Sequence, residues 1–539
     1  MKNHLLTAVA SAALLAMPMP ALAQHAGHGG MTMPMPAKPA AKKKAPAKKA
    51  AAKKSVAKKA PAKKPAAAKK STTTAPAKPP GKMDHSTMDH STMAPPAPSP
   101  AEPVAVDHST MDHSAMDQSA MPPSAAPAGP TDHAAMGHGS AAEASHGGHG
   151  AMSGALGNYP MTREASGTAW QPDSSAHMGL MGQSGDWTLM GHGVLNLVHS
   201  TQGGQRGDDK TFVSGMLMGM ARRPVGNGTL QFKGMISPDP LMGKSGYPLL
   251  LASGETANGT DRLIDRQHPH DFFMELSASI SQNIGPNSGV FLYGGLPGEP
   301  AFGPPAFMHR EAILDSPEAP ISHHWLDSTH ISFGVVTAGL VLDRVKLEVS
   351  RFNAREPDEH RWDIETGALD STAVRLSWNP TADLSLQGSW GKFTDPEQLE
   401  PGVDQTRWSA SALLAREVAP DVKVAATLAW GRKSIKHHEE YWNDDAYVAE
   451  ASVKHHGWTM FGRGEITENR ELLDEEEHGE AFRVGKVSVG AVHDFKLAEH
   501  VSFGVGGLFA VNFVPKGLAP RYGGNNLTGA MGFVRLKLD

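Results

Sequence analysis

The most constraining feature of this sequence is a run of short segments in which apolar and polar residues alternate, from about residue 186 to the end of the chain. Successive residues of a β-strand point to opposite faces, so this alternation predicts strands with one apolar and one polar face. Sixteen such strands are expected, at about 186–199, 211–223, 227–237, 271–283, 288–295, 329–341, 344–353, 370–379, 382–392, 405–418, 421–431, 446–455, 457–468, 482–495, 499–511 and 526–538. The sequence therefore predicts an all-β fold.

The connections between these segments alternate between short and long. Short turns are expected near 225–227, 285–287, 342–343, 380–381, 419–420, 456–457 and 498–499. Longer loops are expected near 200–210, 238–270, 296–328, 354–369, 393–404, 432–445, 469–481 and 512–525. An even number of strands with short turns at one end and long loops at the other is typical of outer-membrane barrels. We therefore predict a transmembrane antiparallel β-barrel of about 16 strands over residues 181–539, preceded by a long disordered N-terminal tail. A soluble β-sandwich or β-propeller is the alternative.

The N-terminus has the organisation of a secretory signal peptide. Lys2 precedes an apolar run from Leu5 to Ala16, and a small-residue sequence ends at Ala23. The run is too short to span a bilayer as a helix, so residues 1–23 are expected to be removed on export. No later stretch of the sequence is long and apolar enough for a spanning helix, so a membrane location requires a barrel. We expect the protein in a bacterial outer membrane, in contact with its lipid, with the tail in the periplasm.

Residues 24–82 consist mainly of Lys, Ala and Pro, with lysine pairs such as Lys48-Lys49 and Lys53-Lys54. A stretch of this composition has little apolar surface to bury and repels itself, so we expect it to be extended and disordered. It is either a solvated spacer or an electrostatic tether to an anionic surface, and its charge alone does not decide between these roles.

Residues 83–180 are expected to form a disordered tail rich in Met and His. The sequence is MDHSTMDHSTM from Met83 and DHSTMDHSAMDQSAM from Asp107, so Met recurs every five residues. A period of five fits neither a helix face nor a strand face, so packing does not explain the repeat. Thioether sulfur suits Cu(I) and the similar Ag(I), whereas imidazole and carboxylate suit Cu(II). We predict metal binding, with copper ahead of silver, nickel and zinc. The candidate ligands are Met83, His85, Met88, His90, Met93, His108, Met111, His113, Met116, Met121, His133, Met136, His138, His146 and His149.

A second group of candidate ligands lies on the first three predicted strands. Leu195 and Leu197 share the parity expected to face lipid, so residues of the opposite parity should face the lumen. The lumen candidates are Met190, His192, Met216, Met218, Met220 and Met235. Barrel lumens are normally polar, so an inward row of Met is unusual and is interpreted as a path for Cu(I). Alternatively, the tail or a loop packs there, or a one-residue shift of register turns the row towards lipid.

The long loops contain a third group of candidate ligands, several of which lie in the sequences DRQHPHD and SHHWLDSTH. These ligands are His268, His270, Asp271, His309, His323, His324, His330 and His360. If the loops fold into the barrel, imidazole and carboxylate could together form a harder metal site. The alternative is an Arg–Asp–His hydrogen-bond network that fixes the loops and involves Asp265, Arg266, Arg310 and Arg361.

The repeat MDHSTMDHSTM, between a signal peptide and a predicted β-barrel, resembles the copper resistance protein B family of bacterial outer-membrane proteins. The resemblance implies a role in copper tolerance, with copper held at Met and His repeats and a barrel in the outer membrane. The residues to which it applies are Met83, His85, Met88, His90, Met93, His108, Met111, His113 and Met116. The barrel, about two thirds of this chain, is longer than that family leads one to expect.

The composition of the chain excludes several kinds of site and of catalysis. The chain has no Cys, which excludes disulfides, zinc ribbons, iron–sulfur clusters and thiol catalysis. It also has no G-x-S-x-G motif, and we expect no enzymatic activity.

We predict tolerance of copper, and of silver, by sequestration or export. Copper ions, as Cu(I), Cu(II) or both, would be bound cargo, with no organic cofactor. Expected partners are metal ions and periplasmic copper proteins or efflux components, with no nucleic acid, and oligomerisation stays open. The alternatives are a general or solute-specific porin with an accessory tail and a soluble periplasmic metal-storage β-protein.

Overall fold

The computed structural model describes residues 152–176, 179–437, 440–473 and 480–538. The strands of this part are β1 (Leu180–Ser184), β2 (Trp187–Gln202), β3 (Asp209–Val225), β4 (Gly228–Ile236), β5 (Tyr247–Thr256), β6 (Arg262–Gln267), β7 (Phe273–Gly285), β8 (Ser288–Gly295), β9 (Val335–Leu342), β10 (Val345–Phe352), β11 (Ser371–Trp378), β12 (Leu384–Phe393), β13 (Gln405–Ala419), β14 (Val422–His437), β15 (Glu440–His455), β16 (Trp458–Asn469), β17 (Phe482–Ala498), β18 (Val501–Phe513) and β19 (Asn526–Leu538). The same part of the chain contains two short α-helices, α1 (His323–Leu326) and α2 (Ala519–Tyr522). Single turns of 3-10 helix lie at Met161–Arg163, Asp239–Met242, Phe307–His309 and Ser328–His330. No helix in the described ranges is long and apolar enough to cross a membrane.

Sixteen of these strands, β2–β4 and β7–β19, form one closed antiparallel barrel. The last strand pairs with the first, in a register that runs from Leu538 opposite Gly193 to Gly529 opposite Gln202. Closure leaves no free edge, so the backbone groups of every strand are paired with neighbours on both sides. Strand β1 adds a short pairing to the start of β2, and β5 and β6 form a separate hairpin. The predicted sixteen-strand barrel is confirmed.

Most predicted strand limits lie within a few residues of the observed ones, and two predictions were wrong. The strand expected from residue 329 begins only at Val335, because the residues before it form a 3-10 turn in the preceding loop. The loop expected at 432–445 is replaced by extensions of β14 and β15. Polar cross-strand pairs extend this hairpin, including an ion pair of 2.7 Å between Arg432 and Asp445. These strands therefore continue beyond their apolar part, which hydrophobic alternation does not detect.

The outer face of the barrel is apolar. Side chains alternate between outward and inward along the strands, as at Leu197, which is 50% exposed, and Val198, which is fully buried. Aromatic residues such as Trp378, Trp458 and Phe495 lie on the outer face near the short turns. An apolar band edged by aromatic rings is the surface that a lipid bilayer requires of a barrel. This surface, together with closure of the sheet, disagrees with the soluble sandwich, propeller and metal-storage alternatives.

The two longest loops, between β4 and β7 and between β8 and β9, fold into the barrel. Leu249, Leu250 and Leu251 of β5 are fully buried in a core that also contains Phe461 and Leu508 of the wall. The second loop adds side chains such as Ile313 and Ile321 to the same core. These loops fill part of the interior with packed apolar side chains, in contrast to a water-filled porin channel.

Residues 152–176 form a plug segment at the end of the barrel that bears the short turns. Asn158 donates a hydrogen bond to the Pro286 carbonyl in the turn after β7, and Arg163 donates to the Asp343 carbonyl in the turn after β9. Trp170 of the segment is buried. The predicted boundary between a disordered tail and the barrel at residue 180 was therefore wrong, because this segment has buried apolar side chains of its own.

Candidate functional site

The predicted ligands of the tail, from Met83 to His149, lie outside the described residues. The methionine and histidine sites described below are inside the barrel, whereas the loop of His360 is partly exposed.

The wall candidates lie together on the inner face of β2, β3 and β4, as the alternation predicts. Met190 is opposite Met220 and His192 is opposite Met218 in the β2–β3 pairing, and Met218 is opposite Met235 in the β3–β4 pairing. Together with Met216 these residues form a surface that we call the methionine wall. It begins close to the start of β2 and the end of β3, and therefore near the short turns.

A cavity of about 90 Å³ adjoins the methionine wall at this end of the barrel. The wall contributes Met190, His192, Met218 and Met220. Sequence reasoning did not predict that Met161, from the plug segment, would also line it. His309, on the loop after β8, is a further lining residue, with its ring centroid 6.3 Å from that of His192. We call this space the methionine cavity; thioether sulfur and imidazole are its main soft donors.

Further into the barrel, the methionine wall continues as a layer of thioethers. Met216, Met235 and Met274 are at most 5% exposed and pack with Ile331 and Phe333. Met308, the neighbour of His309, packs partly buried against this layer. The layer adjoins both the methionine cavity, through Met218, and the loop that contains the next group of histidines.

Four loop histidines are brought together in the barrel interior, and we call them the histidine cluster: His268, His270, His323 and His330. They are at most 9% exposed. Centroid distances between neighbouring rings are 6.4 Å for His268–His270, 5.2 Å for His270–His330, 5.2 Å for His330–His323 and 6.1 Å for His323–His268. Each of the four rings therefore has two others of the group as neighbours, although their ligand atoms are not among the groups of three that lie within 4.8 Å of one another in the described residues.

Each ring of the histidine cluster is oriented through its Nδ1 atom. His270 Nδ1 lies 2.8 Å from Asp239 Oδ2, and His323 Nδ1 lies 2.8 Å from Asp327 Oδ1. His330 Nδ1 is 2.7 Å from the backbone carbonyl of Asp327.

The fourth ring follows the same pattern, since His268 Nδ1 is 3.1 Å from Glu255 Oε2. An oxygen acceptor at Nδ1 fixes the tautomer with the proton on Nδ1 and the lone pair on Nε2. All four Nε2 atoms are buried and have no hydrogen-bond partner in the part of the chain that the structure describes. Burial lowers the pKa of both His268 and His330, which are on loops, well below its usual value. Their rings are therefore neutral at physiological pH.

Buried ion pairs hold the loops around the cluster. Arg310 donates to Glu450 of β15 through Nε and a terminal nitrogen, both at 2.8 Å, and also to Asp327. Arg361 pairs with Asp271 at 3.2 Å and with Glu255, so it supports the residue that orients His268. The Arg–Asp–His network that was the alternative interpretation of these loops is therefore present.

This network occurs beside the clustered rings. Of the other predicted members, Asp265 pairs with Arg206 and Arg266 pairs with Asp208.

Of the remaining loop candidates, His324 adjoins the clustered rings, with its ring centroid 5.6 Å from that of His323, and the others lie apart from them. His324 has its ring centroid 5.7 Å from that of His268, and its Nδ1 lies 3.1 Å from Glu356 Oε1. His309 belongs to the methionine cavity, and Asp271 serves as a partner of Arg361.

His360 is exposed and lies in an acidic loop with Asp358 and Glu365. Burial, together with a hydrogen bond to Asp358, raises the pKa of Glu365 to about 8. His360 lies apart from the other loop histidines, although its neighbour Arg361 is buried beside Glu255. Ligand atoms of Asp358, Glu359 and His360 lie within 4.8 Å of one another, so His360 stays a candidate ligand in a separate, acidic group.

Several residues of these sites were not predicted. The anchors Asp239, Glu255 and Asp327 are too far from most of their histidines in sequence for spacing to reveal them. One signal was available, since Asp327 follows His323 by four residues and directly follows the last residue of the short helix α1. That spacing places two side chains on one helix face.

No family model matches the sequence, and no curated protein matches it. Solved structures do match in part. The Salmonella typhi OmpF complex with daunomycin has a TM-score of 0.44 and 10% identity, over 67% of this chain and 100% of that chain. The anion-selective porin from Comamonas acidovorans has a TM-score of 0.39 and 12% identity, over 65% and 100%. OmpT of Vibrio cholerae has a TM-score of 0.39 and 8% identity, over 66% and 100%.

At these identities the likeness concerns the fold alone. The closed sheet, the apolar outer band and the unequal connections together define this chain as an outer-membrane β-barrel.

Proposed function

We propose that this protein binds copper ions and takes part in tolerance of copper, and of silver, as a non-enzymatic barrel of the outer membrane. The observation that supports this proposal is the methionine wall, which presents thioethers to the interior of a barrel. Barrel lumens are normally polar, and a thioether offers little to most solutes but is a good ligand for Cu(I).

The tail repeat adds the same two ligand types in another part of the chain. Met83, His85 and Met88 illustrate a pattern that recurs through the tail. The described chain enters the barrel from the end with the short turns, where the methionine cavity lies. In outer-membrane barrels this end faces the periplasm. Many weak sites on a tethered tail raise the local concentration of copper at the mouth of the cavity.

Inside the barrel, the order of ligands gives copper a stepwise route. The methionine cavity is followed by the buried layer of Met216, Met235 and Met274, and then by the histidine cluster. His270 stacks on Phe307 with centroids 6.2 Å apart, and Phe307 lies two residues before His309. The loop after β8 therefore contacts both ends of this route. Cu(I) is the cargo suited to the thioether part.

The packed interior argues against the general-porin alternative. The inner loops bury apolar side chains such as Leu249 and Ile313 where a general porin has water. If the protein is a general porin, it should show metal-independent conductance in planar bilayers. If it is a copper-binding barrel with a packed interior, it should show small currents in the absence of metal.

The proposal is tested by copper tolerance of cells that produce the full chain or its variants. The test variant combines Met190→Leu, Met218→Leu and Met220→Leu, which conserve volume and are expected to cost little stability. The control is Met460→Leu, because Met460 is 64% exposed on the outer face.

We expect the triple variant to lose copper and silver tolerance, while zinc tolerance and barrel assembly are unchanged. If the triple variant protects as well as the wild type and the control, the proposal is wrong.

A further inference from the structure

We propose that Met161 of the plug segment is a further copper ligand of the methionine cavity, so that an ion bound there holds the plug segment against the wall. The inference rests on the proposed function and deepens it, because it gives the same cavity a regulatory role. When the cavity is empty, the plug segment opens more readily at the end of the barrel that faces the periplasm.

The first argument is that the methionine cavity lies between two parts of the chain. Met190, Met218 and Met220 line it from the wall, and Met161 lines it from the plug segment. Among the described residues of the plug segment that line the cavity, Met161 is the one soft donor. The plug segment therefore closes the cavity and brings a thioether to it.

The second argument is that the backbone holds Met161 in this position. Its N–H donates to the Met152 carbonyl at 2.9 Å, and it begins the 3-10 turn Met161–Arg163. Arg163, at the end of this turn, donates to the Asp343 carbonyl in the turn after β9 at 2.9 Å. The side chain of Met161 is unbranched and has three rotatable bonds, so its sulfur can still adjust to an ion.

The third argument is the distribution of buried ion pairs. The pair of Arg163 and Asp173, at 2.6 Å, is internal to the plug segment. On the wall, Lys346 donates to the Thr168 carbonyl of the plug segment but also has its own partner, Glu348, at 3.3 Å. Separating the two parts at these contacts therefore leaves no buried charge without compensation, which is the most costly kind of loss. The plug segment can open by breaking hydrogen bonds to neutral groups and apolar contacts.

A bound ion links these features. An ion that bridges Met161 and the wall has fewer ligands once the plug segment opens. A ligand that binds one of two states more tightly shifts the equilibrium towards that state. Copper in the methionine cavity therefore stabilises the closed plug segment, and loss of copper raises the population of the open one.

The test is hydrogen–deuterium exchange of residues 152–176 in the full mature chain, read by mass spectrometry. Purified protein in detergent is measured without metal, with Ag(I) and with Zn(II). Ag(I) is the probe because it is a soft ion like Cu(I) and needs no anaerobic handling. Exchange of hydrogen-bonded amides, such as that of Met161, requires local opening.

We expect Ag(I) to slow exchange of the plug segment. At about 100 times the Kd, complete loss of the ion on opening would slow exchange by about 100-fold. Because the wall thioethers keep part of the affinity, we expect a slowing of about 10-fold or more. Zn(II), which thioethers bind poorly, should leave the exchange unchanged.

Two variants of the plug segment assign the effect to one residue. Met161→Leu conserves volume, so it should keep the metal-free exchange of the wild type and lose the slowing by Ag(I). Met152→Leu is the matched control, because Met152 belongs to the same segment but does not line the cavity. Heat-modifiable migration on gels shows whether each variant is folded.

Bound silver is counted on the same samples and in the triple variant of Met190, Met218 and Met220. If the wild type binds more silver than the triple variant but its exchange is the same with and without Ag(I), this inference is wrong and copper binding by the wall stands. The inference is also wrong if folded Met161→Leu protein keeps the full slowing. If the wild type and the triple variant bind the same amount of silver, the proposed function and this inference both fail.

Discussion

Removal of Arg310 tests whether buried ion pairs hold the inner loop against the wall. Its side chain is fully buried and joins Asp327 of the loop to Glu450 of β15. Removing one member of a buried ion pair costs about 3–5 kcal/mol, because the remaining charge is left without compensation. Glu450 keeps Arg463 at 3.1 Å, so the lower end of that range, about 3 kcal/mol, applies to Arg310→Met.

That free energy corresponds to an increase on the order of 10²-fold in the population with the loop detached. We expect frequent larger openings in planar-bilayer recordings and faster proteolysis between residues 296 and 334. Arg355→Met is the matched control, because Arg355 is 56% exposed and its pair with Asp395 should be worth at most about 1 kcal/mol. If the Arg310→Met protein has wild-type conductance and protease resistance, these buried ion pairs do not hold the loop against the wall.

Three further predictions concern other parts of the chain. Gly339→Ala places its Cβ about 2.1 Å from the buried ring of Phe291, so it should destabilise the barrel by about 1–3 kcal/mol in denaturant unfolding. Gly388→Ala, which meets nothing within 4 Å, should be close to neutral, and equal effects of the two would contradict the packing argument.

Glu365 has a pKa of about 8 in the folded protein, above its usual value. The stability that its protonated form gives to the folded loop is therefore present at low pH and is lost as the pH rises through 8. Proteolysis of residues 353–370 should therefore accelerate from pH 6 to pH 9 in wild type but not in Glu365→Gln. Cu(I) bound by the tail should survive mild acid while much of the bound Cu(II) is lost below about pH 6, because imidazole protonates and thioether does not. Equal loss of both ions in competition titrations would contradict that division of roles.

Much of the barrel could be predicted because the alternation of apolar and polar residues in each strand shows which side chains face outward and which face inward. Leu195 and Leu197 on one side and Asn196 on the other are enough to set the parity of β2. The same parity placed Met190 and His192 on the inner face. Strand extensions such as the end of β14 were missed because paired polar residues leave no hydrophobic alternation.

The interior could be predicted only in part, because it depends on contacts between distant residues. The sequence predicted the loop histidines as candidate ligands. It could not show that His268 and His323 approach each other, since these residues belong to two loops, one before β7 and one after β8. The carboxylates that orient these rings are also distant from them in sequence, as with Asp239 and His270. The plug segment was missed because buried residues such as Trp170 are surrounded in sequence by Gly, Ser and Ala.

An anaerobic Cu(I) competition titration, with Zn(II) in parallel, tests whether the barrel itself binds copper. It compares the mature chain from Gln24, the same chain without residues 24–150, and that shorter chain with the three Met→Leu changes of the methionine cavity. We expect the first protein to bind several Cu(I) ions, the second to bind at least one Cu(I) in preference to Zn(II), and the third to lose that ion. Absence of selective Cu(I) binding in the second protein would contradict the claim that the barrel itself binds copper.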